Sequence, residues 1–257
     1  VDLAPYNEIH RHPSTQYESG LAIRDQPSSE LDCPLVMTSR LRFSGRYRTR
    51  IDMRMGGLIL AGGRSRRMGR PKESLPIANT TMLDWQCRTL MSCTEVVVTV
   101  SRDPSQPLPT IPAEVDITMG ELPGEGPLAA IVAGLKRLRD HHGFTEHDAV
   151  MTVGCDQPFI TPATIRWLSS QIGDADVLIP QANNKLQPLT AIYRIRALKV
   201  AAKLLDSGAR RPREIAAATT SRILTEDELR VHDPKLRFLR NLNSHEDYEA
   251  VRQELDV

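Results

Sequence analysis

The stretch that decides the fold is GLILAGGRSRRMGRPKESL, residues 57–75. Its apolar run, 58–61, predicts a buried strand, and the next two residues are glycines, which let a backbone approach an anion closely. A basic loop follows, and free N–H groups with Arg and Lys side chains supply compensating charge to phosphate. The pattern predicts a phosphate-binding loop, and the alternative is an ordinary strand-to-helix turn with solvated arginines. It is not a Walker loop, because G-x-x-x-x-G-K-[ST] is absent.

Composition places the chain among soluble globular proteins. Its 257 residues suffice for one large domain or two small ones, with 40% hydrophobic and 25% charged residues. The formal net charge of +1 provides no global attraction to nucleic acid or to a membrane surface. No apolar run approaches the roughly 20 residues that a membrane span needs. We therefore expect neither a nucleic acid nor a membrane as partner.

The cysteines indicate the compartment. Cys33, Cys87, Cys93 and Cys155 form no C-x-x-C pair and are too few for a disulfide scaffold in a chain of this length. They are interpreted as free thiols in a reducing compartment, the cytoplasm. The histidines are scattered along the chain and do not predict a zinc site.

The first 54 residues differ from the rest of the chain. They mix Pro, Ser, Arg and Tyr without helical or strand periodicity, and they contain no apolar segment of a signal peptide. We predict a disordered, dispensable amino-terminal extension over 1–54 and a single catalytic-type domain over 55–257.

From residue 56 onward, predicted strands and helices alternate. Strands are predicted at 57–61, 95–101, 115–119, 148–154, 175–180, 189–194 and 236–239. Helices are predicted at 81–92, 127–139, 161–172, 196–205, 211–218, 226–230 and from 244 to the end. Alternation of this kind implies right-handed crossovers and a three-layer α/β/α, Rossmann-like fold with a mostly parallel sheet. Its ligand site is expected at the carboxyl ends of the strands, near the point where the strand order reverses.

Two further segments carry oxygen ligands at this edge. Asp156 follows a buried strand in G-C-D-Q-P-F, and an aspartate there can hold Mg²⁺, which bridges phosphate oxygens. Asn241 and Asn243 in N-L-N share a face if the segment is extended, and an amide oxygen can complete a metal shell. Each segment by itself also fits turn or helix-cap chemistry.

Taken together, these motifs resemble a known family. L-A-G-G-R-S-R-R-M-G-R-P-K at 60–72 is similar to the signature of molybdenum cofactor guanylyltransferases, which are MobA-like NTP transferases with a glycosyltransferase-A-like fold. Four further segments match the family in order: G-E-G-P-L-A-A-I at 124–131, G-C-D-Q-P-F at 154–159, Q-P-L-T-A-I-Y at 187–193 and N-L-N at 241–243. The resemblance covers about 56–255.

The resemblance implies transfer of GMP from GTP to the terminal phosphate of molybdopterin, with Mg²⁺ and release of pyrophosphate. It implies that the nucleotide is contacted by Leu60, Ala61, Gly62, Gly63, Arg64, Lys72 and Glu121. It implies catalytic roles for Arg67, Lys72 and Asp156, and Mg²⁺ binding by Asp156 and Asn243. The implied contacts to the acceptor are made by Gln187, Pro188 and Asn241. GTP and molybdopterin are the implied partners, together with contacts to proteins that make or receive the molybdenum cofactor.

The choice of base depends on a few positions. Gly62 and Cys155 follow the guanylyl pattern of the family, whereas Gln157 is common in its cytidylyl branch. Glu121 stands where the family usually has an aspartate. GTP is the predicted nucleotide, and a CTP-dependent molybdopterin cytidylyltransferase is the alternative.

Two other classes of protein fit the sequence less well. A sugar-phosphate nucleotidylyltransferase usually has a longer insertion between the signature arginine and lysine, whereas here only 68–71 separate Arg67 from Lys72. A non-catalytic regulatory homologue would be expected to have lost its cations and metal ligand, yet Arg67, Lys72 and Asp156 all match the family.

Overall fold

A computed structural model describes residues 53–62, 70–120 and 126–255 of the chain. The predicted extension, 1–54, lies almost entirely outside these ranges, so its disorder remains a prediction.

The strands of the described ranges include six of the predicted strands and several short additions. In chain order they are β1 (Met55–Leu60), β2 (Pro76–Ile77), β3 (Thr80–Thr81), β4 (Val96–Ser101), β5 (Asp116–Met119), β6 (Ala149–Gly154), β7 (Val177–Ala182), β8 (Lys185–Leu186), β9 (Thr190–Arg194) and β10 (Ser221–Leu224). The main sheet has the order β10-β7-β9-β6-β1-β4-β5, with β8 paired to β7, whereas β2 and β3 form a separate hairpin. Strand β9 runs antiparallel to β6 and β7, and the other neighbours along the order are parallel. The predicted α/β fold with a mostly parallel sheet is confirmed.

Helices connect these strands at the predicted places. They are α1 (Met82–Met91), α2 (Pro127–His142), α3 (Pro162–Gln171), α4 (Leu198–Asp206), α5 (Arg213–Ala218), α6 (Glu226–His232) and α7 (His245–Leu255). Local chemistry fixes their ends: the Thr161 side chain accepts a hydrogen bond from the N–H of Thr164, and Ser244 Oγ accepts one from the N–H of Asp247 at 3.1 Å. In the parts of the chain that the structure describes, no helix has both the length and the apolar character that crossing a membrane requires.

Three layers result from the alternation of side chains along the strands. On β1 and just after it, Leu58 and Leu60 face one side of the sheet, whereas Ile59 and Ala61 face the other. Helices α2, α4 and α5 cover the first side, and α1, α3 and α6 cover the second. Gly134 lets α2 lie close to β1, because a Cβ there would stand 2.1 Å from Leu58 Cδ1.

A smaller apolar cluster packs α7 against the loop after β6. It contains Phe159, Leu242, Tyr248 and Val251, all buried. Phe159 follows the loop after β6, and Leu242 lies in the segment before α7. Their packing therefore fixes these two segments against each other.

One predicted strand, 236–239, is wrong. Leu236 has a left-handed backbone with φ of +51°, and Arg237–Leu239 form a 3₁₀ turn. The Asp233 carboxylate accepts hydrogen bonds from the N–H groups of Lys235 and Phe238, which curls the segment and prevents an extended conformation.

Strand β10 was not predicted. It has only four residues, and its Ile223 side chain is exposed, so neither an apolar run nor a clear alternation marks it. Its pairing with β7 is a tertiary contact that local sequence does not encode.

Candidate functional site

The candidate site lies where β1 and β6 end, at the carboxyl edge of the sheet. The two strands are parallel neighbours, and Leu60 is paired with Gly154. The chain passes from β1 to β4 and β5 on one side and then returns to β6 on the other, so the strand order reverses between β1 and β6. Ligands bind parallel α/β sheets at such a reversal.

Three polar side chains converge at this edge, and we name Lys72, Asp156 and Asn243 the Lys72 cluster. Lys72 Nζ lies 2.8 Å from Asp156 Oδ2 and 3.4 Å from Asn243 Oδ1. The side chains of Lys72 and Asp156 are 18% and 24% exposed, so the ion pair is partly screened and open to a ligand. The three residues come from distant parts of the chain, and all three were predicted as site residues.

The loop after β6 holds the Asp156 carboxylate close to the end of the strand. A Cβ at Gly154 would stand 2.7 Å from Asp156 Oδ1, so only glycine leaves room for this side-chain position. The backbone oxygen of Asp156 accepts a hydrogen bond from the N–H of Leu242 at 2.9 Å. This bond joins the loop directly to the segment that carries the two asparagines.

The cap of α7 orients Asn243. The Asp247 carboxylate accepts hydrogen bonds from the N–H groups of Asn243 and Ser244, each at 3.0 Å. These N–H donors, that of Asn243 above all, hold the pKa of Asp247 below its usual value. Asn241 lies beside them, and its buried Oδ1 has no hydrogen-bond partner among the residues described. Asn243 thus offers an amide oxygen beside the Lys72–Asp156 pair, as an oxygen-binding cation would require, and Asn241 adds an unpaired amide oxygen in the same segment.

Leu60, Ala61 and Gly62, which were predicted to bind the nucleotide, lie at the end of β1, and we name this end the nucleotide side of the site. The oxygen of Leu60 accepts a hydrogen bond from the N–H of Cys155 at 3.4 Å, and the N–H of Ala61 donates to Val100 at 3.0 Å. Gly62 lies close to the end of β4, because a Cβ there would stand 3.3 Å from Arg102 Cα. The predicted nucleotide-binding residues Gly63, Arg64 and Glu121 and the predicted catalytic Arg67 lie outside the described residues.

Gln187 and Pro188, which were predicted to bind the acceptor, lie in the connection between β8 and β9, and we name this connection the acceptor side of the site. The N–H of Gln187 donates to the oxygen of Pro180 at 2.8 Å, and the oxygen of Pro188 accepts from the Tyr193 hydroxyl at 2.8 Å. The oxygen of Leu189 accepts from the N–H of Gly154 at 3.0 Å. The predicted acceptor-binding residues therefore lie next to the loop that carries Asp156.

Cys155 lies beside the Lys72 cluster but is unsuited to nucleophilic chemistry. Burial raises the pKa of its thiol well above the usual range, and the nearby Asp156 and Glu73 carboxylates raise it further. The thiol is therefore neutral at physiological pH, and its role is packing.

Residues 57–223, more than half of the chain, match the sequence profile of the MobA-like NTP transferase domain. The chain belongs to this family. It is therefore an NTP transferase, a nucleotidyltransferase enzyme.

Relatives of this MobA-like NTP transferase match it over nearly their whole length. A protein of Chloroflexus aggregans is 30% identical over 210 residues, which is 79% of this chain and 95% of the relative. A protein of Mycobacterium bovis is 33% identical over 197 residues, or 74% of this chain and 89% of the relative. Both relatives are named probable molybdenum cofactor guanylyltransferase.

Solved structures support the fold. The molybdopterin-guanine dinucleotide biosynthesis protein A of Archaeoglobus fulgidus has a TM-score of 0.63 and 22% identity, over 78% of this chain and 98% of that one. The 2-C-methyl-D-erythritol 4-phosphate cytidylyltransferase of Thermus thermophilus has a TM-score of 0.55 and 13% identity, over 80% and 100%. The fold is thus shared with nucleotidyltransferases that act on different substrates.

Two buried glutamines of this NTP transferase were not predicted to take part in the site. Gln106 donates from Nε2 to the oxygen of Ala61 at 2.7 Å, and it lies in a Pro-rich loop with no periodic pattern. Gln157 accepts at Oε1 from the N–H of Gly154 at 2.9 Å and donates from Nε2 to the Thr190 hydroxyl. In the sequence, Gln157 stands out only as a residue that is common in the cytidylyl branch of the family. The one signal available for Gln106 was a polar residue between prolines, which is weak.

Proposed function

We propose that this MobA-like NTP transferase moves GMP from GTP to the terminal phosphate of molybdopterin and releases pyrophosphate. The observation that carries the proposal is the Lys72 cluster, which places a cation, a carboxylate and an amide oxygen at the reversal of the strand order. The relatives carry the name probable molybdenum cofactor guanylyltransferase, which supports the choice of both substrates.

Mg²⁺ is the metal that the donor atoms fit. Asp156 Oδ2 and Asn243 Oδ1 already converge on one cationic group, the Lys72 ammonium, and the buried Asn241 Oδ1 lies in the same segment as Asn243. Mg²⁺ is usually held by one or two carboxylates, waters and substrate phosphates. A larger group of acidic or imidazole ligands is therefore not needed, and none occurs among the residues that the structure describes. When bound, Mg²⁺ would neutralise charge on the phosphates and orient them for an in-line reaction.

The residues of the chain supply positioning and charge. An oxygen of the acceptor phosphate attacks the α-phosphorus of the nucleotide, forming one P–O bond as the bond to the β-phosphate oxygen breaks, and pyrophosphate carries away the electron pair. The acceptor phosphate is ionised at neutral pH, so no protein nucleophile or base is required. Lys72 would stabilise the negative charge that builds up on the transferred and leaving groups. Gln187, Pro188 and Asn241 would hold the acceptor in line with that bond.

The location of Gln157 removes one sequence argument for CTP as the substrate. Its side chain is 2% exposed and fully engaged with Gly154 and Thr190, so it is not available to contact a base. The resemblance of Gln157 to the cytidylyl branch therefore carries little information on base choice. Gly62 and Cys155, which follow the guanylyl pattern, then weigh more.

The direct test is a pyrophosphate-release assay. The purified protein is incubated with Mg²⁺, each nucleoside triphosphate in turn, and molybdopterin or a sugar phosphate as acceptor. We expect release only with GTP and molybdopterin, and loss of release on removal of Mg²⁺ with a chelator. Release with CTP alone would contradict the base assignment, and release with a sugar phosphate would contradict the acceptor.

We also propose a cytoplasmic location. The three cysteines of the described ranges, Cys87, Cys93 and Cys155, are free thiols, which supports a reducing compartment. Contacts with other proteins of molybdenum cofactor biosynthesis remain a prediction from the family.

A further inference from the structure

We propose that Gln106 is a positioning residue for the nucleotide, because its buried amide joins the two ends of the basic loop 62–72 to the end of β4. The inference rests on the proposed function, since it assumes that this loop binds a nucleoside triphosphate. We name Gln106 with its partners Ala61, Glu73 and Arg102 the Gln106 junction.

Three hydrogen bonds define the Gln106 junction. Gln106 Nε2 donates to the oxygen of Ala61 at 2.7 Å and to Glu73 Oε1 at 2.5 Å. Gln106 Oε1 accepts from the N–H of Arg102 at 2.6 Å. Both hydrogens of the amide and one lone pair of its oxygen are therefore used. Gln106 and Glu73 are only 8% and 2% exposed, so water does not compete with these bonds.

The chemistry of the partners requires an amide. Ala61 and Glu73 offer acceptors, whereas Arg102 offers a donor, so the central side chain must donate twice and accept once. A glutamate lacks the donors, and a methionine of similar shape lacks both functions. The orientation of the amide follows from the same partners, because the opposite orientation would place its oxygen against two acceptors.

The places that Gln106 connects explain what the junction does. Ala61 comes directly before the basic loop, and Glu73 comes directly after Lys72, so one side chain holds both ends of the loop. Arg102 follows β4 and lies against Gly62, on the nucleotide side of the site. Without the amide, each segment would still pack in its own place, but the loop ends would no longer be fixed relative to each other or to Lys72. A small misplacement of such groups is enough to lower affinity and rate.

Glu73 strengthens the case for a built junction. Its Oε2 is buried and has no hydrogen-bond partner among the residues described. Its Oε1 accepts the hydrogen bond from Gln106, a neutral donor. A carboxyl group buried in this way is costly unless it is hydrogen-bonded. The bond to Gln106 therefore offsets part of the cost of burying the Glu73 carboxyl group beside Lys72.

The test is a steady-state comparison of Gln106→Met with the wild-type protein, with both substrates varied. We expect the KM for GTP to rise about ten-fold, with the KM for the acceptor unchanged within about two-fold, because only the nucleotide side loses its alignment. Asp148→Asn is the matched control: Asp148 is also buried and hydrogen-bonded, but it lies before β6 at the opposite end of the sheet. It should lower Tm without changing the KM for GTP.

Substitutions of Glu73 separate alignment from charge. Glu73→Gln keeps an oxygen that accepts from Gln106, so the KM for GTP should stay near the wild-type value, whereas Glu73→Ala should raise it as Gln106→Met does. Equal effects of Glu73→Gln and Glu73→Ala would overturn the proposal, since the charge and not the junction would then matter. A Gln106→Met protein with an unchanged KM for GTP, or with both KM values raised equally, would also overturn it.

Direct binding of a non-hydrolysable GTP analogue with Mg²⁺, measured by calorimetry, distinguishes a failure of the proposed function from a failure of the proposed role of Gln106. If the wild-type protein does not bind the analogue, the proposed function fails. If the wild-type protein binds it and Gln106→Met binds it equally well, only the role of the Gln106 junction fails.

Discussion

The nucleotide side and the acceptor side of the site are each connected through a buried glutamine, but the two connections differ in charge. Gln106 bonds to a carboxyl group, that of Glu73, next to Lys72. Among the residues that the structure describes, Gln157 bonds only to neutral groups: the N–H of Gly154, the Thr190 hydroxyl and, through its backbone oxygen, the Gln86 amide and the N–H of Ile160. The nucleotide side, where we propose that a triphosphate binds, thus carries a carboxyl group directly beside Lys72. The acceptor side depends on neutral hydrogen bonds, which fix geometry without changing the local field.

The largest effects are expected where the two sides meet, in the Lys72 cluster. Lys72→Ala and Asp156→Ala should each lower kcat by about 10²–10³-fold, because each removes charge that stabilises the transferring phosphoryl group or its metal. Far-ultraviolet circular dichroism should remain that of the wild-type protein, since both side chains are partly exposed. Steady-state kinetics check the prediction.

The matched control for Lys72→Ala is Lys199→Ala on α4, which should leave kcat unchanged. An Asp156→Ala enzyme with full turnover would remove the proposed role of Asp156 in metal binding.

The next largest effect is expected at Gly154, which leaves room for the Asp156 carboxylate and also donates a hydrogen bond to Leu189 on the acceptor side. Gly154→Ala places a Cβ 2.7 Å from Asp156 Oδ1, so the carboxylate must move away from its present position. We expect kcat to fall about ten- to hundred-fold, with an unfolding free energy lower by about 1–3 kcal/mol. Mg²⁺ titration of activity measures whether the apparent metal affinity falls with it. Unchanged metal affinity and kcat would mean that the position of Asp156 is not critical.

Sequence reasoning succeeded on this molecule where the signal is local. The apolar runs of β1, β4 and β6 predict strands buried on both faces, and the residues just after β1 and β6 therefore fall at the site. It failed where the structure depends on contacts between distant segments. Gln106 lies 33 residues from Glu73 and 45 from Ala61, so no motif contains the junction. The turn at Leu236 was missed for a different reason: it is local, but it needs a left-handed backbone at a leucine, which rarely adopts one.

A selective effect on the acceptor side is expected from Gln157. Gln157→Met removes the bonds to Gly154 and Thr190, and Leu189, which follows Gln187 and Pro188, is also bonded to Gly154. We expect the KM for the acceptor to rise about five-fold and the KM for GTP to change by less than about two-fold. Gln171→Met, at the carboxyl-terminal end of α3, is the matched control. The opposite ranking of the two KM values would contradict the division of the site into two sides.

The smallest effect expected is electrostatic and concerns the cap that orients Asn243. The N–H groups of Asn243 and Ser244 hold the pKa of Asp247 below the value of 3.8 for an unfolded chain, so the ionised carboxylate stabilises the folded state. That contribution is fully present above pH 3.8 and is lost as the pH falls from there through the lower pKa of the folded protein. Asp247→Asn retains an acceptor oxygen without the charge. It should therefore lower the unfolding free energy at pH 7 by roughly 0.5 kcal/mol, a small value because the side chain is partly exposed, and the difference from wild type should shrink in acid. Urea denaturation at pH 7 and pH 3 measures this difference. A difference that grew in acid would mean that the carboxylate is not stabilised by its N–H donors, and Asn243 would then need another explanation for its orientation.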